Sequence, residues 1–414
     1  MSLFGANGPQ FYLLTALEED PYCPVSYVRI VNHLQRAPAG WQSSVFMLPR
    51  DLAAALEELP KCSGVLLARA TSAAAATLAA RARELDLPVI YDIDDYLWKL
   101  PDYVEARQLA EGATEVLAHA TLTTTPSREL GSFINKLFPA MPIVIVPNAA
   151  DIFRDNPRKR EAGAVLANSD FFRLPGIKKE FFQAVRDGAR AVNVKLWLYY
   201  LSNDAPESMS DDPHLQVIWC GVRSYSSYRS LLERFRPEIA LVPLPDDHFS
   251  RYKSVVKFAE FGHHSIAGIY SRVEPYASFV REGEDGWLTD NDPIAWRDSV
   301  TRVLSLSEFE FNRIRSVAAA RSGKEFSGKS IRSKLFSTLE QAGLKSMNAV
   351  KAAQPPPPEV EFTFREAYDY VVGQRAALLW ENQRLREIES SVDRITTERD
   401  ALLAERGQIL KGQV

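Results

Sequence analysis

The chain has 414 residues, 46 % apolar and 25 % charged, with a formal net charge of −4. That length exceeds one ordinary core and implies two domains plus something extra, and the charge gives no reason to expect wholesale nucleic-acid binding. Three cysteines, Cys23, Cys62 and Cys220, are far apart and odd in number, which excludes a disulfide framework or a zinc spacing and points to a reducing cytoplasm.

The first part of the chain alternates strands and helices. Phe11 to Ala16 reads as a strand, and Val25 to Leu34 has helical spacing with Ser26 able to cap its start. Val45 to Leu48 is a strand, Asp51 to Leu59 a helix, Gly64 to Ala68 a buried strand and Ala73 to Leu85 an alanine-rich helix. Strand Val89 to Asp92 follows, then helix Val104 to Ala118, strand Thr121 to Thr125, helix Ser127 to Leu137 and strand Ile143 to Val146. This rhythm predicts a parallel sheet with right-handed crossovers. Ligands then bind beyond the carboxyl ends of the strands. Three loops there stand out: Glu18 to Ser26, followed by Tyr27 and Arg29; Asp92 to Trp98; and Thr124 to Ser127.

The charged, proline-containing segment 151–162 reads as an interdomain connection. Beyond it come strand Ala164 to Ala167, a loop carrying Arg173, helix Ile177 to Arg190, strands Val194 to Leu201 and Leu215 to Trp219, and helix Tyr225 to Phe235. Strand Ile239 to Leu244 leads into a polar loop, Asp246 to Lys253, and Ser254 opens a helical segment with Val255, Phe258 and Ala259 on one face. Ile266 to Tyr270 is the next strand, Gly283 and Gly286 bracket a turn, and Pro293 to Leu304 and Glu308 to Leu344 are helical. A helix whose first turn carries Lys253 and Ser254 suits an anion, because free N–H groups and the positive end of the dipole point outward there. Glu260, about two turns further on, can accept hydrogen bonds from the hydroxyls of a ribose or sugar.

The run Arg251 to Glu260, then Ile266 to Ser271, Glu274-Pro-Tyr276 and Gly283-Glu-Asp-Gly-Trp-Leu288, resembles the donor-binding half of family 4-type glycosyltransferases. The segment Tyr91-Asp-Ile-Asp-Asp95 resembles the Asp-Ile-Asp-Asp signature of a subgroup of them, and Val146-Pro-Asn148 resembles a strand end that closes their first domain. The resemblance covers roughly residues 11 to 344. It implies the GT-B architecture, an α/β fold of two Rossmann-like domains whose parallel sheets face across a cleft that holds a nucleotide-diphospho-sugar. It further implies Glu260 on the donor ribose. The charge that develops on a departing diphosphate points to Lys253, with the backbone at Ser254 and Val255, and to Arg173 and Arg251 as weaker donor contacts, while the loops after the strands put Arg29, Asp92 and Asn148 in the cleft or on the acceptor. Asp94 and Asp95 join Lys253 as candidate catalytic groups.

Each assignment has a plainer rival. Three carboxylates within four residues repel one another unless a cation, a hydroxyl or a basic partner gathers them, but Asp is also favoured at an exposed turn that caps a helix. Asp92-Ile-Asp94 suits Mg²⁺ in principle; the flanking residues fit the metal-independent architecture better. Glu260 can simply pair with Lys257 on a helix surface, and a loop arginine is usually solvated. The sequence also departs from the family pattern. Tyr252 stands where the first of two paired glutamates is usual, the Gly-Arg and Lys-Gly diphosphate clamp has no clean counterpart, and His263-His264-Ser265 replaces small residues. Adjacent histidines on a helix diverge by about 100°, which argues against a shared metal.

Pro355 to Pro358 is a stiff extended spacer. After Tyr368, Val371, Leu378, Leu385 and Val392 recur every seven residues, and Ile388, Ile395, Leu402 and Ile409 do so three positions later. That seam, interrupted by Glu381, Arg399 and Arg406, predicts a parallel coiled coil or a docked helical hairpin, with a lone amphipathic helix packed on the body as the plainer rival, and hence a homo-oligomer or a protein partner through 368–410. The expected organisation is therefore an N-terminal domain 1–155, a donor-side domain 156–345 whose last helices brace the first, a linker 346–360 and a coiled-coil tail 361–414. No apolar run approaches a membrane span and no basic-then-apolar signal opens the chain, so a cytoplasmic protein, at most peripheral at the inner membrane face, is expected. The resemblance implies a retaining, metal-independent hexosyltransferase without a cofactor, acting on a glycan or lipid-linked acceptor in bacterial surface polysaccharide synthesis. The alternatives are a non-catalytic module of this fold whose coiled coil gathers partners, and a sugar-nucleotide epimerase.

Overall fold

A computed structural model describes residues 10–99, 109–150, 163–166, 177–201, 212–220 and 225–346. Arg173, the 151–162 connection, the proline run and the heptad segment lie outside the described residues.

The first lobe is built on a parallel six-stranded sheet, ordered β2-β1-β3-β4-β5-β6. Its strands are β1 (Phe11–Leu17), β2 (Trp41–Met47), β3 (Gly64–Ala68), β4 (Val89–Asp92), β5 (Leu122–Thr125) and β6 (Ile143–Ile145). The central strands β3, β4 and β5 are buried throughout, as expected when helices cover both faces. Edge strand β2 is only half-buried, and its first residues Trp41 to Ser44 carry little apolar signal, so the pattern placed its start four residues late. Between β1 and β2 the chain runs from α1 (Pro24–Ser26) through a π-helical turn (Tyr27–Val31) into α2 (Asn32–Leu34). Then come α3 (Leu52–Glu58), α4 (Ala73–Glu84), α5 (Leu109–His119) and α6 (Arg128–Leu137). Residues of α3 to α6 cover one face of the sheet, packing on Leu14, Val65, Leu67 and Tyr91.

The second lobe repeats the plan with order β12-β11-β10-β7-β8-β9, again parallel. Its elements run β7 (Gly163–Leu166), α7 (Ile177–Ala191), β8 (Leu196–Leu201), β9 (Leu215–Cys220), α8 (Tyr225–Phe235), β10 (Ile239–Val242), α9 (Val256–His263), β11 (Ala267–Ser271), α10 (Tyr276–Phe279) and β12 (Trp287–Thr289). Helices α11 (Pro293–Ser305), α12 (Glu308–Glu325) and α13 (Gly328–Gln341) follow. Residues of α7 and α11 bury Phe181, Val185, Trp296 and Val300 on one face of the sheet. Residues of α8 and α9 bury Tyr228, Phe258 and Phe261 on the other. Read from its first strand outward, this sheet has the dinucleotide-fold order, which reverses between β7 and β10; the first sheet reverses between β1 and β3.

The helical stretch expected over Glu308 to Leu344 divides into two helices, α12 and α13. α12 ends at Phe326, and Ser327 caps the start of α13 through its side chain. At this break the chain leaves the second lobe beside the place where it entered. Ala150 N–H donates to Phe326 O at 3.0 Å and bridges Ser327. α13 then lies on the first sheet, where Ile331, Leu335, Phe336 and Leu339 join Leu13, Leu17, Leu66 and Ile90 in one buried cluster. No helix among the described residues is long and apolar enough to cross a membrane.

Candidate functional site

The carboxyl ends of both sheets carry the polar groups that the apolar strands exclude. On the first lobe, Asp92 closes β4 and is buried. The Arg29 guanidinium engages it through Nε at 3.1 Å and through Nη2 more closely, and Thr124 Oγ1 donates to it at 2.5 Å. Arg29 sits in the π-helical turn, and its side chain is 3 % exposed. A buried charge pair persists only when its remaining hydrogen-bonding groups are satisfied, and here they are. Arg29 Nη1 also donates to Val146 O at 2.6 Å and to Asn148 Oδ1 at 3.1 Å. Asp92 is thus committed to Arg29 and Thr124, which removes the first carboxylate of the Asp92-Ile-Asp94 triplet from any open cation site.

Asp94 and Asp95 flank a second arginine. Arg69 follows β3 with a left-handed φ of +49°, and its guanidinium lies 3.1 Å from Asp95, 3.9 Å from Asp94 and 3.6 Å from Glu19. Glu18 accepts the backbone N–H groups of Thr71 and Ser72, both at 2.8 Å, and so braces the same loop at the start of α4. The two neighbouring carboxyls titrate apart. Burial, then the charge of Asp95, pushes Asp94 up to about 6, while for Asp95 the same burial is outweighed by Lys253 and Arg69, which hold it below the usual carboxylate value. Such divergence between adjacent acids is typical of working sites. Arg69 has no counterpart among the expected site residues, and Glu19 was expected only as part of the loop Glu18 to Ser26. The usable signal was position alone, since Arg69 directly follows an entirely buried strand.

The second lobe presents the loop after β10 to this cluster. Ser250–Tyr252 forms a 3₁₀ turn, Lys253 is extended, and Val255 is the N-cap of α9. Ser254 therefore does not open the helix; Val256 does, and Lys253 and Ser254 lie just ahead of it. No side chain caps α9, nor α3 or the short α10, whereas α4, α6, α11, α12 and α13 are capped by Ser or Asp. Lys253, Ser254 and Val255 are half-buried rather than sealed. Lys253 Nζ lies 3.6 Å from Asp95 Oδ1 and 4.4 Å above the Phe249 ring, and Ser254 Oγ accepts from Asn148 Nδ2 at 2.8 Å. Tyr252, at the expected glutamate position, stacks on Tyr96 of the first lobe with centroids 4.3 Å apart. The structure thus brings Arg29, Asp92, Asp94, Asp95, Asn148, Lys253 and Ser254 to one interlobe junction.

Other candidates are placed differently. Glu260 is buried, accepting from Tyr228 Oη at 3.2 Å and Lys257 Nζ at 2.8 Å. Arg251 is exposed and pairs with Asp246 at 3.3 Å, as a solvated loop arginine would. His263 turns into the α9–α12 contact, its Nδ1 against Ala259 O and Ser322 Oγ. Burial, then Arg229 and His263, push His264 down to about 4. In the Gly-x-x-Gly turn, fully buried Asp285 receives Arg321 Nη1 at 2.7 Å. Ser271 and Asn291 bind the Leu244 backbone and set where the β10 loop departs.

No family model matches the chain, and no curated protein matches its sequence significantly. Solved structures do match. HepE (Alr3699) of Anabaena, determined with UDP-glucose, aligns with a TM-score of 0.57 at 15 % identity, over 80 % of this chain and all of that one. A putative UDP-N-acetylglucosamine 2-epimerase of Listeria monocytogenes aligns at 0.53 and 8 % identity, over 80 % and 96 %. TarM of S. aureus aligns at 0.50 and 12 % identity, over 69 % and 58 %. The architecture is GT-B. In GT-B terms the junction lies where the carboxyl ends of the two sheets meet, with the uncapped start of α9 on one side and Asp94 and Asp95 on the other.

Proposed function

We propose that this chain is a glycosyltransferase that moves a sugar from a nucleotide-diphospho-sugar to a glycan or lipid-linked acceptor. The observation that carries this reading is the start of α9, which no side chain caps and which stands beside Lys253 and Ser254 opposite the Asp94–Asp95 pair. Breaking the anomeric C–O bond places extra charge on the departing diphosphate. A fixed cation and helix N–H groups aimed at that charge stabilise it as it develops, the largest kind of effect such a site offers. Lys253 and α9 supply what a metal would otherwise supply, so the reaction is proposed to be metal-independent. Asp94 and Asp95 belong to the acceptor side, where a carboxylate holds an acceptor hydroxyl or opposes positive charge at the anomeric carbon. Glu260 is proposed to hold the nucleotide ribose, exchanging its bond from Lys257 for one from a sugar hydroxyl. The likeness to HepE, solved with UDP-glucose, supports a uridine diphosphate donor.

The likeness to a putative epimerase gives a second reading, inversion within the bound nucleotide-sugar. One experiment separates the two. Thermal shift with a panel of nucleotide-sugars identifies the donor, stabilisation is lost in Lys253→Ala, and product analysis with and without acceptor follows. Transfer only with acceptor supports the transferase, and its anomeric configuration tests the expected retention. Isomerisation without acceptor supports the epimerase, and no stabilisation by any nucleotide overturns both.

A further inference from the structure

The junction contains a hydrogen-bond chain whose direction is fixed at every link. It begins at Arg29, whose guanidinium has donors only and is anchored by Asp92. Arg29 Nη1 donates to Asn148 Oδ1 at 3.1 Å, so the amide of Asn148 must present its carbonyl there; the opposite orientation would set two donors against each other. Its NH₂ group then faces Ser254 and donates to Oγ at 2.8 Å. Ser254 Oγ is the acceptor in that bond, and its own hydrogen points elsewhere. Among the described residues that hydroxyl has no acceptor. Asn148 is 7 % exposed, so water does not readily substitute for its partners. The chain ends beside Lys253, ahead of the uncapped start of α9.

We infer that Arg29 and Asn148 are positioning residues that hold the Ser254 hydroxyl as a hydrogen-bond donor to the diphosphate of the donor substrate. This rests on the transferase reading above and adds a role for two residues of the opposite lobe. Because Asn148 belongs to the first lobe and Ser254 to the second, the hydroxyl is oriented only while the lobes are together. An open molecule offers the anion a freely rotating serine, and a closed one offers a directed donor.

The test uses UDP, and pyrophosphate as a base-free probe, with binding measured by calorimetry on the full chain. Ser254→Ala should weaken binding by on the order of tenfold, the value of a hydrogen bond to a charged group, and Ser254→Thr, which keeps a hydroxyl, should restore it. Asn148→Asp keeps an acceptor for Arg29 but replaces the NH₂ by an oxygen that takes the Ser254 hydrogen, so it should weaken binding by a similar factor. In the Ser254→Ala background the same change should add little, because both act through one hydroxyl. Equal losses from Asn148→Asp in both backgrounds would mean simple charge repulsion and overturn the inference. Wild-type affinity in Ser254→Ala would also overturn it, and that variant decides the matter if Asn148→Asp does not fold. In both cases the donor reading survives so long as Lys253→Ala abolishes binding. A wild-type chain that binds neither probe overturns the inference and the donor reading together.

Discussion

The carboxylate of Asp95 reaches across the lobe junction to Lys253, Oδ1 to Nζ 3.6 Å. The cation proposed to meet the diphosphate is therefore already shared with a fixed anion, and an incoming phosphate feels both. Asp95→Asn removes the competing charge, and UDP affinity should rise roughly fivefold, about 1 kcal/mol for one unit charge at a part-solvated site. Turnover should fall in the same variant, because Asp95 also holds Arg69 at 3.1 Å beside Asp94. Calorimetry and steady-state kinetics on one preparation read the two effects, and a parallel loss of affinity would contradict the shared-cation view.

Asp94 should make stability depend on pH in a definite direction. Its carboxyl is raised from 3.8 to about 6, first by burial and then by Asp95. The native state thus favours the protonated form. The stability this group contributes is complete below about pH 4 and is lost as pH rises through about 6. Asp94→Asn mimics the protonated acid, so it should flatten the profile over that window. It should also raise stability at neutral pH by about 1–3 kcal/mol while lowering activity. Urea denaturation across pH checks the first effect; a variant less stable than wild type at neutral pH would refute it.

Gly262 of α9, at the contact with α12, and Gly323 of α12, facing open space, should respond with opposite signs. A Cβ on Gly262 would lie 2.6 Å from Ser322 Cβ and 3.0 Å from Ala318 O, whereas one on Gly323 would meet nothing within 4 Å. Gly262→Ala should cost about 1–3 kcal/mol through overpacking. Gly323→Ala should add roughly 0.5–1 kcal/mol, because it removes unfolded-state freedom from a helix interior. Denaturant midpoints of the two variants give the comparison directly.

The alternation of apolar strands with helices was enough to anticipate two parallel sheets, because strands buried on both faces, such as β3 and β4, are visible as uninterrupted apolar runs. Edge strand β2 and the three-residue β12 were harder to see, one for its half-polar surface and the other for its brevity. The break at Phe326 was not placed, because both flanking segments have helical composition and its local mark is the single capping residue Ser327. Within the site, Lys253, Ser254, Asp94 and Asp95 were legible as residue types beside strand ends. Arg69 was not, because a lone arginine after a strand has no pattern until the fold brings Asp94 and Asp95 to it. Asn148 was noticed, but the Arg29 contact that orients it spans 119 residues and leaves no local trace.

The docking of α13 on the first sheet has a consequence for synthesis. Leu13, Leu66 and Ile90 are made well before Phe336 and Leu339, yet all five lie in one buried cluster. Lys345 N–H then donates to Ser63 O at 3.2 Å. A nascent chain that has finished its first sheet therefore covers that face only in part, with Ile30, Val31 and Leu34, until α13, nearly two hundred residues further on, is made. During that interval the unfinished half is a client for whatever shields apolar surface in the cell, and a premature stop before Gly328 would leave it so permanently.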